Sequence, residues 1–245
     1  MTVVDAVVLA GGRARRLGGI DKALLPVGGS TLLAGALAAV ADARRRVVVG
    51  PARQGFPPDV VWVREAPPHG GPVAALAVGL EALLASGTSA PLVVVLATDL
   101  PSAPAAVAAL RAPIGGTGAA VTDDAGSDDA RSDAVRSHDP GQSDGWVAVD
   151  PDGYRQPLLA VYRTASLARA LGTLRARRGT VAGAAVRYLL SGLRLVEVPL
   201  PAALTADVDT PEQRDALLGQ DGTSPTRSGA SRAPRPDAPH ERRTT

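Results

Sequence analysis

The chain contains no cysteine and no asparagine, one phenylalanine, two tryptophans, three tyrosines and, against a large excess of arginine, a single lysine. Without cysteine there are no disulfides, no thiolate metal sites and no cysteine nucleophile, and a reducing cytoplasm is the expected compartment. Aromatic residues make up 2% of the chain. The core must therefore be built from Ala, Val and Leu, and the stacking platforms of single-strand nucleic-acid binders are missing. The apolar stretch 82–98 is interrupted by Ser, Thr, Gly and Pro and does not read as a membrane span. Nucleic acid and membrane are thus not expected as partners. His69, His138 and His240 are scattered without metal-ligand spacing, and no serine–histidine–aspartate arrangement is evident. Met1 leads straight into an apolar run with no basic segment before it, so no signal peptide is expected.

What is present is apolar material, 45% of 245 residues, enough for one large α/β domain or two small ones. The formal charge of +2 is unevenly placed. Residues 122–145 hold seven aspartates against Arg131 and Arg136, and the stretch after Gly219 holds five arginines against Asp221, Asp237 and Glu241. The remainder carries a modest excess of +5, which suits an anionic small molecule better than a DNA groove.

The valine-rich run 3–10 ends in Gly11-Gly12 and reads as a buried parallel strand entering a loop. Ser30-Thr31 can cap a helix whose Leu32, Leu33, Ala36, Leu37 and Val40 fall at helical spacing, and a strand over 46–49 completes a βαβ unit. Strand 60–63, a glycine-proline turn, helix 72–85 and strand 92–97 repeat the pattern, which predicts an α/β fold with a mainly parallel sheet. Further on, the sequence predicts a helix over 102–111 and short strands over 119–121 and 146–149. The turn Asp150-Pro-Asp-Gly153 leads into a hairpin partner over 158–162. Helices over 165–174 and 181–190 and a strand over 195–198 follow. Thr210-Pro-Glu-Gln213 is a capping box opening a last helix that ends by Gly219. Residues 123–144 and 220–245 lack periodicity and read as a disordered acidic insertion and a disordered tail.

The chemistry concentrates in the first loop, Leu9-Ala-Gly-Gly-Arg-Ala-Arg-Arg-Leu-Gly-Gly-Ile-Asp-Lys22. Gly11 and Gly12 let backbone N–H groups approach a ligand, Arg13, Arg15 and Arg16 gather positive charge, and Gly18-Gly19 turns the chain so that Lys22 returns. A lysine in a chain that otherwise uses arginine marks a place where a compact ammonium is needed and a wide fork will not do. The pattern reads as a polyphosphate pocket, neither a Walker loop nor a Rossmann fingerprint. Asp99 follows the apolar strand 92–97 at its carboxyl end, where it can hold Mg2+ against a nucleotide's phosphates or cap the next helix. Asp207 and Asp209 alternate on an extended segment and can complete that metal site, or Asp209 can cap the last helix. Gly70-Gly71-Pro72 is a tight turn whose amides can meet a base or ribose edge. Arg155 and Gln156, after the hairpin turn, are candidates to face the cleft.

The run 9–25 strongly resembles the signature of the molybdenum cofactor guanylyltransferases, within the nucleotidyltransferases that also make nucleotide sugars. Gly71-Pro72-Val73-Ala74-Ala75, Thr98-Asp99-Leu100-Pro101, Gln156-Pro157-Leu158 and the stretch 207–212 follow in the family's order. The resemblance implies a three-layer Rossmann-like nucleotidyltransferase domain over 1–219, using GTP and Mg2+ to place GMP on the terminal phosphate of molybdopterin with release of pyrophosphate. It implies that Leu9, Ala10, Gly11 and Gly12 contact the nucleotide, that Arg16 and Lys22 meet its phosphates, that Gly71 and Pro72 lie on the guanine side and that Asp99 ligates the metal. Molybdoenzymes or other cofactor-maturation proteins are the implied protein partners. Gly50, Asp207 and Asp209 stand where relatives often carry asparagine, and Ala66 follows Glu65 where a family aspartate is common. Gly11 favours guanine, because cytidylyltransferase relatives usually read Leu-Ala-Ala-Gly. The competing readings are a cytidylyltransferase, a sugar-phosphate nucleotidyltransferase and a non-catalytic nucleotide-binding module.

Overall fold

Six consecutive strand-forming positions, Val4–Leu9, make strand β1, and all six are buried. A strand buried on both faces needs a covering layer on each side, and helices supply both. The computed structural model describes residues 2–11, 21–114, 143–208, 213 and 215. After β1 a small hairpin of β2 (Pro26–Val27) and β3 (Ser30–Thr31) turns through Gly28 and Gly29, both in the left-handed region, as a two-residue hairpin turn requires. Helix α1 (Leu32–Ala39) starts on the Thr31 side chain, which accepts a hydrogen bond from the Ala34 N–H at 3.2 Å. Strands β4 (Arg46–Val49) and β5 (Val60–Val63) follow, then helix α2 (Pro72–Leu84), strand β6 (Leu92–Ala97) and helix α3 (Ala103–Arg111). The later part supplies β7 (Gly145–Val149), β8 (Arg155–Arg163), α4 (Thr164–Arg178), α5 (Val186–Leu190), β9 (Leu195–Pro199) and α6 (Ala202–Thr205).

The large sheet has seven strands in the order β5-β4-β1-β6-β8-β7-β9. Strands β5, β4, β1 and β6 pair in parallel, as do β7 and β9, while β8 runs antiparallel to both neighbours. Alternation along β1 divides the core. Val4, Ala6 and Val8 pack with α1 and α3, and Val7 and Leu9 pack with α2 and α4. The result is the three-layer, mainly parallel Rossmann-like architecture. The chain winds from β1 outward to β4 and β5, then crosses to β6 on the other side of β1. This reversal leaves a crevice at the carboxyl ends of the central strands, where open α/β sheets bind ligands.

Two expectations change. The helix predicted over 181–190 is shortened to α5, because Gly183 takes φ 68° and Ala185 is extended, so the chain becomes helical only at Val186. The β2–β3 hairpin and α6 add elements that periodicity does not reveal over so few residues. The strand predicted over 119–121, the acidic insertion and the tail lie outside the described residues, as does the last helix apart from Gln213 and Asp215, which are helical. Among the described residues no helix is long and apolar enough to cross a membrane.

Candidate active site

The carboxyl ends of β1 and β6 are stitched together by Thr98, whose N–H and hydroxyl both donate to the Leu9 carbonyl, at 3.1 and 3.3 Å. This fixes the exit of β6, and Asp99 leaves the sheet beside the end of β1. From the other side comes a short 3-10 turn, Lys22–Leu24, capped by Asp21, whose carboxylate accepts from the Ala23 N–H at 3.2 Å. The two segments meet. Lys22 Nζ lies 3.3 Å from Asp99 Oδ2, a contact across 77 positions of sequence. The lysine side chain is 19% exposed and the aspartate 31%, so both face a solvent-filled space.

That space is a cleft of about 610 Å3, within the range of small-molecule sites. Leu9, Ala10 and Gly11 at the end of β1 and Ala97, Thr98 and Asp99 at the end of β6 form its floor, Gly71, Pro72 and Ala75 one wall, and Asp21, Lys22 and Ala23 another. Glu65, His69 and Leu158 complete the rim. Gly71 is the N-cap of α2 at φ 87°, a conformation open to glycine, and no side chain caps this helix. Pro72 stands at the first helical position, where its missing N–H costs nothing. The remaining N–H groups of the first turn are donors open to an acceptor atom of a ligand at this wall.

Of the residues singled out in the sequence, Leu9, Ala10, Gly11, Lys22, Gly71, Pro72 and Asp99 all line this cleft. Gly12, Arg16 and Asp209 lie outside the described residues. The stretch that leads to Asp209 does reach the site: the Val208 N–H donates to the Asp99 carbonyl at 3.0 Å, and Val208 is buried against Leu25 and Leu32. Asp99 is not a helix cap, since the N-cap of α3 is Ser102.

Arg155 and Gln156 are corrected. Arg155 pairs with Glu197 at 2.7 Å, and the Gln156 amide donates to Asp150 at 2.8 Å, so neither lines the cleft. Leu158 does, because β8 pairs in unbroken register with β6, from Leu92 opposite Arg163 to Leu96 opposite Leu159, which brings the next residue of β8 beside Ala97 at the carboxyl end of β6. Two turns of the pleat further on, the buried Tyr162 hydroxyl, its pKa pushed up by burial, donates to the Pro157 carbonyl at 2.9 Å. On α4, Arg175 pairs with Glu81, and Arg178 lies over the exposed ring of Tyr188. Sequence reasoning missed Glu65 and His69 as lining residues. Glu65 accepts from the His69 N–H at 3.1 Å, and His69 takes φ 68°, a turn that orders the rim beside Gly70 and Gly71.

The profile of the family described as MobA-like NTP transferase domain matches residues 6–194. No functionally curated protein matches the chain. Among solved structures, it is similar to molybdopterin-guanine dinucleotide biosynthesis protein A from Archaeoglobus fulgidus, at 16% identity over 89% of this chain and 98% of that one, with a TM-score of 0.57. It is similar also to 2-C-methyl-D-erythritol 4-phosphate cytidylyltransferase from Thermus thermophilus, at 20% identity over 88% and 97%, TM-score 0.56. A nucleotidyl transferase from Methanothermobacter thermautotroptrophicus gives 21% identity over 90% and 100%, TM-score 0.56. At these identities the likeness concerns the fold.

Proposed function

From the premise that the chain belongs to the MobA-like NTP transferase family, and is a nucleotidyltransferase, we propose that it transfers GMP from GTP to molybdopterin. The observation that carries this reading is the meeting of the lone lysine with Asp99 in a cleft floored by Leu9, Ala10 and Gly11. In the reaction an oxygen of the pterin's terminal phosphate bonds to the α-phosphorus of GTP, the bond from that phosphorus to the β-phosphate bridging oxygen breaks, and pyrophosphate leaves. Two anions must approach, so catalysis rests on positioning and on neutralising charge, with no protein nucleophile.

Lys22 holds the triphosphate as a point charge with three donors, and Arg16 is assigned to the same phosphates. The backbone of Leu9, Ala10, Gly11 and Gly12 lies along the nucleotide, and Gly71 and Pro72 take the guanine side. The donor chemistry of Asp99 fits Mg2+: a hard carboxylate oxygen, partly exposed, facing a cleft. Among the described residues no three His, Cys, Asp or Glu side chains converge to cage an ion. Mg2+ needs no such cage, since one or two carboxylates with water and substrate phosphates satisfy it. Asp99 would hold it, with Asp209 as the second carboxylate, and the ion would supply neutralisation of phosphate charge.

The test is to incubate the protein and Mg2+ with each nucleoside triphosphate, with and without molybdopterin, and to follow pyrophosphate release. Release that requires both GTP and molybdopterin is expected. A preference for CTP or for a sugar phosphate as acceptor overturns the assignment in favour of the cytidylyltransferase or sugar-nucleotide reading. Nucleotide binding without turnover points to a binding module.

A further inference from the structure

The segment that carries the glycines and arginines begins after Ala10 and ends at Asp21, and one side chain from beyond the neighbouring strand touches both of these residues. Arg53 sits just beyond β4, the parallel neighbour of β1, with its side chain 9% exposed. Its Nη2 donates to the Ala10 carbonyl at 3.2 Å and to Asp21 Oδ1 at 2.9 Å. Its Nε donates to Asp21 Oδ2 at 2.8 Å, and its Nη1 to the Pro51 carbonyl at 3.1 Å. The fork thus grips a carboxylate with two parallel bonds, ties it to the end of β1, and is itself braced on its own loop. The backbone also passes close to the Ala10 carbonyl at Gly50, where a Cβ would stand 2.7 Å from its oxygen; only glycine lets the chain pass so near. Asp21 in turn caps the turn that presents Lys22.

We infer that Arg53 is a positioning residue for nucleotidyl transfer: by tying Asp21 to Ala10 it fixes the reach of Lys22 toward Asp99. Arg53 does not line the cleft, so it acts through Asp21 and touches no substrate. The inference rests on the reading that Lys22 binds a polyphosphate. An arginine is required, because a lysine ammonium cannot give two parallel bonds to one carboxylate while reaching a carbonyl on the far side.

The test uses the full-length protein and inorganic tripolyphosphate, a probe with no base, measured by titration calorimetry beside thermal unfolding. Lys22→Ala, Arg53→Lys, Asp21→Asn and the double variant Arg53→Lys with Lys22→Ala are compared with wild type. The expected result is a loss of affinity of about tenfold or more for Arg53→Lys and for Asp21→Asn, in variants that still unfold cooperatively. In the double variant the affinity should equal that of Lys22→Ala alone, because a group that works through another adds nothing once that other is gone. Wild-type affinity in Arg53→Lys, or losses that multiply in the double variant, overturns the positioning role while leaving the Lys22 site intact. Unchanged affinity in Lys22→Ala overturns the underlying site, and the positioning role with it. The nucleotide panel fails independently, since it depends on base and acceptor.

Discussion

Two aspartates at opposite ends of the same sheet do different work. Asp5, at the start of β1, is fully buried; Arg44 donates to it through Nε at 3.1 Å and Nη2 at 2.9 Å, and the Ala90 N–H donates at 2.7 Å. Asp99, just past the end of β6, meets Lys22 at 3.3 Å and keeps about a third of its side chain open to the cleft. A carboxylate enclosed by short bonds from a fork and an amide is fixed and serves the fold. One that shares a longer contact with a flexible ammonium can exchange that partner for a ligand. The same residue type is structural at the amino edge of the sheet and available at the carboxyl edge.

Removing the cleft pair tests the second half of that contrast. Lys22→Ala and Asp99→Asn should each lower pyrophosphate release by about 10²–10³-fold, the loss expected when a group that balances transition-state charge is deleted, with the unfolding midpoint in urea unchanged. Lys22→Arg should fail as well, since charge alone does not restore the shape of an ammonium. Breaking the buried pair should do the reverse. Asp5→Ala leaves the Ala90 amide unsatisfied and discards two charge-assisted bonds, a cost of about 3 kcal/mol in urea denaturation, while turnover per folded molecule is retained.

A second structural carboxylate sharpens the comparison through pH. Burial pushes the Asp144 carboxyl up, but the Ser166 hydroxyl at 2.6 Å, the Arg194 N–H at 2.9 Å and the Arg194 and Arg169 guanidiniums outweigh it, and its pKa lies below the ordinary carboxylate value. A depressed pKa stabilises the fold above the unfolded value, near 4, and that contribution is lost as pH falls through the folded one. Melting temperature measured from pH 6 downward should therefore drop below about pH 4, and less steeply in Asp144→Asn. The smallest effect is expected at the surface, where Arg175 and Glu81 pair at 2.7 Å with both side chains more than half exposed. Arg175→Ala should change stability by no more than about 0.5 kcal/mol.

The strands were legible because runs such as Val4–Leu9 and Leu92–Ala97 are valine-rich, the first leading on to Gly11-Gly12 and the second to Thr98-Asp99. The cleft residues on β1, β6 and α2 were legible too, since strand ends in an open sheet collect at one edge. What escaped was whatever depends on which strands become neighbours. Arg53 touches Ala10 and Asp21 only because β4 lies beside β1, and Glu65 and His69 reach the rim through the turn before α2. Arg155, a candidate for the cleft, is instead held across the sheet by Glu197 on β9. The β2–β3 hairpin was visible in Gly28-Gly29, a signal overshadowed by the helix that follows.

The bond from Val208 to the Asp99 carbonyl has a consequence for how the molecule matures. Every strand of the large sheet precedes residue 200, yet the segment that seals Leu25 and Leu32 and braces the acid comes after it. During synthesis, a nascent chain with its sheet already assembled would still lack a finished cleft until this late stretch emerged and docked.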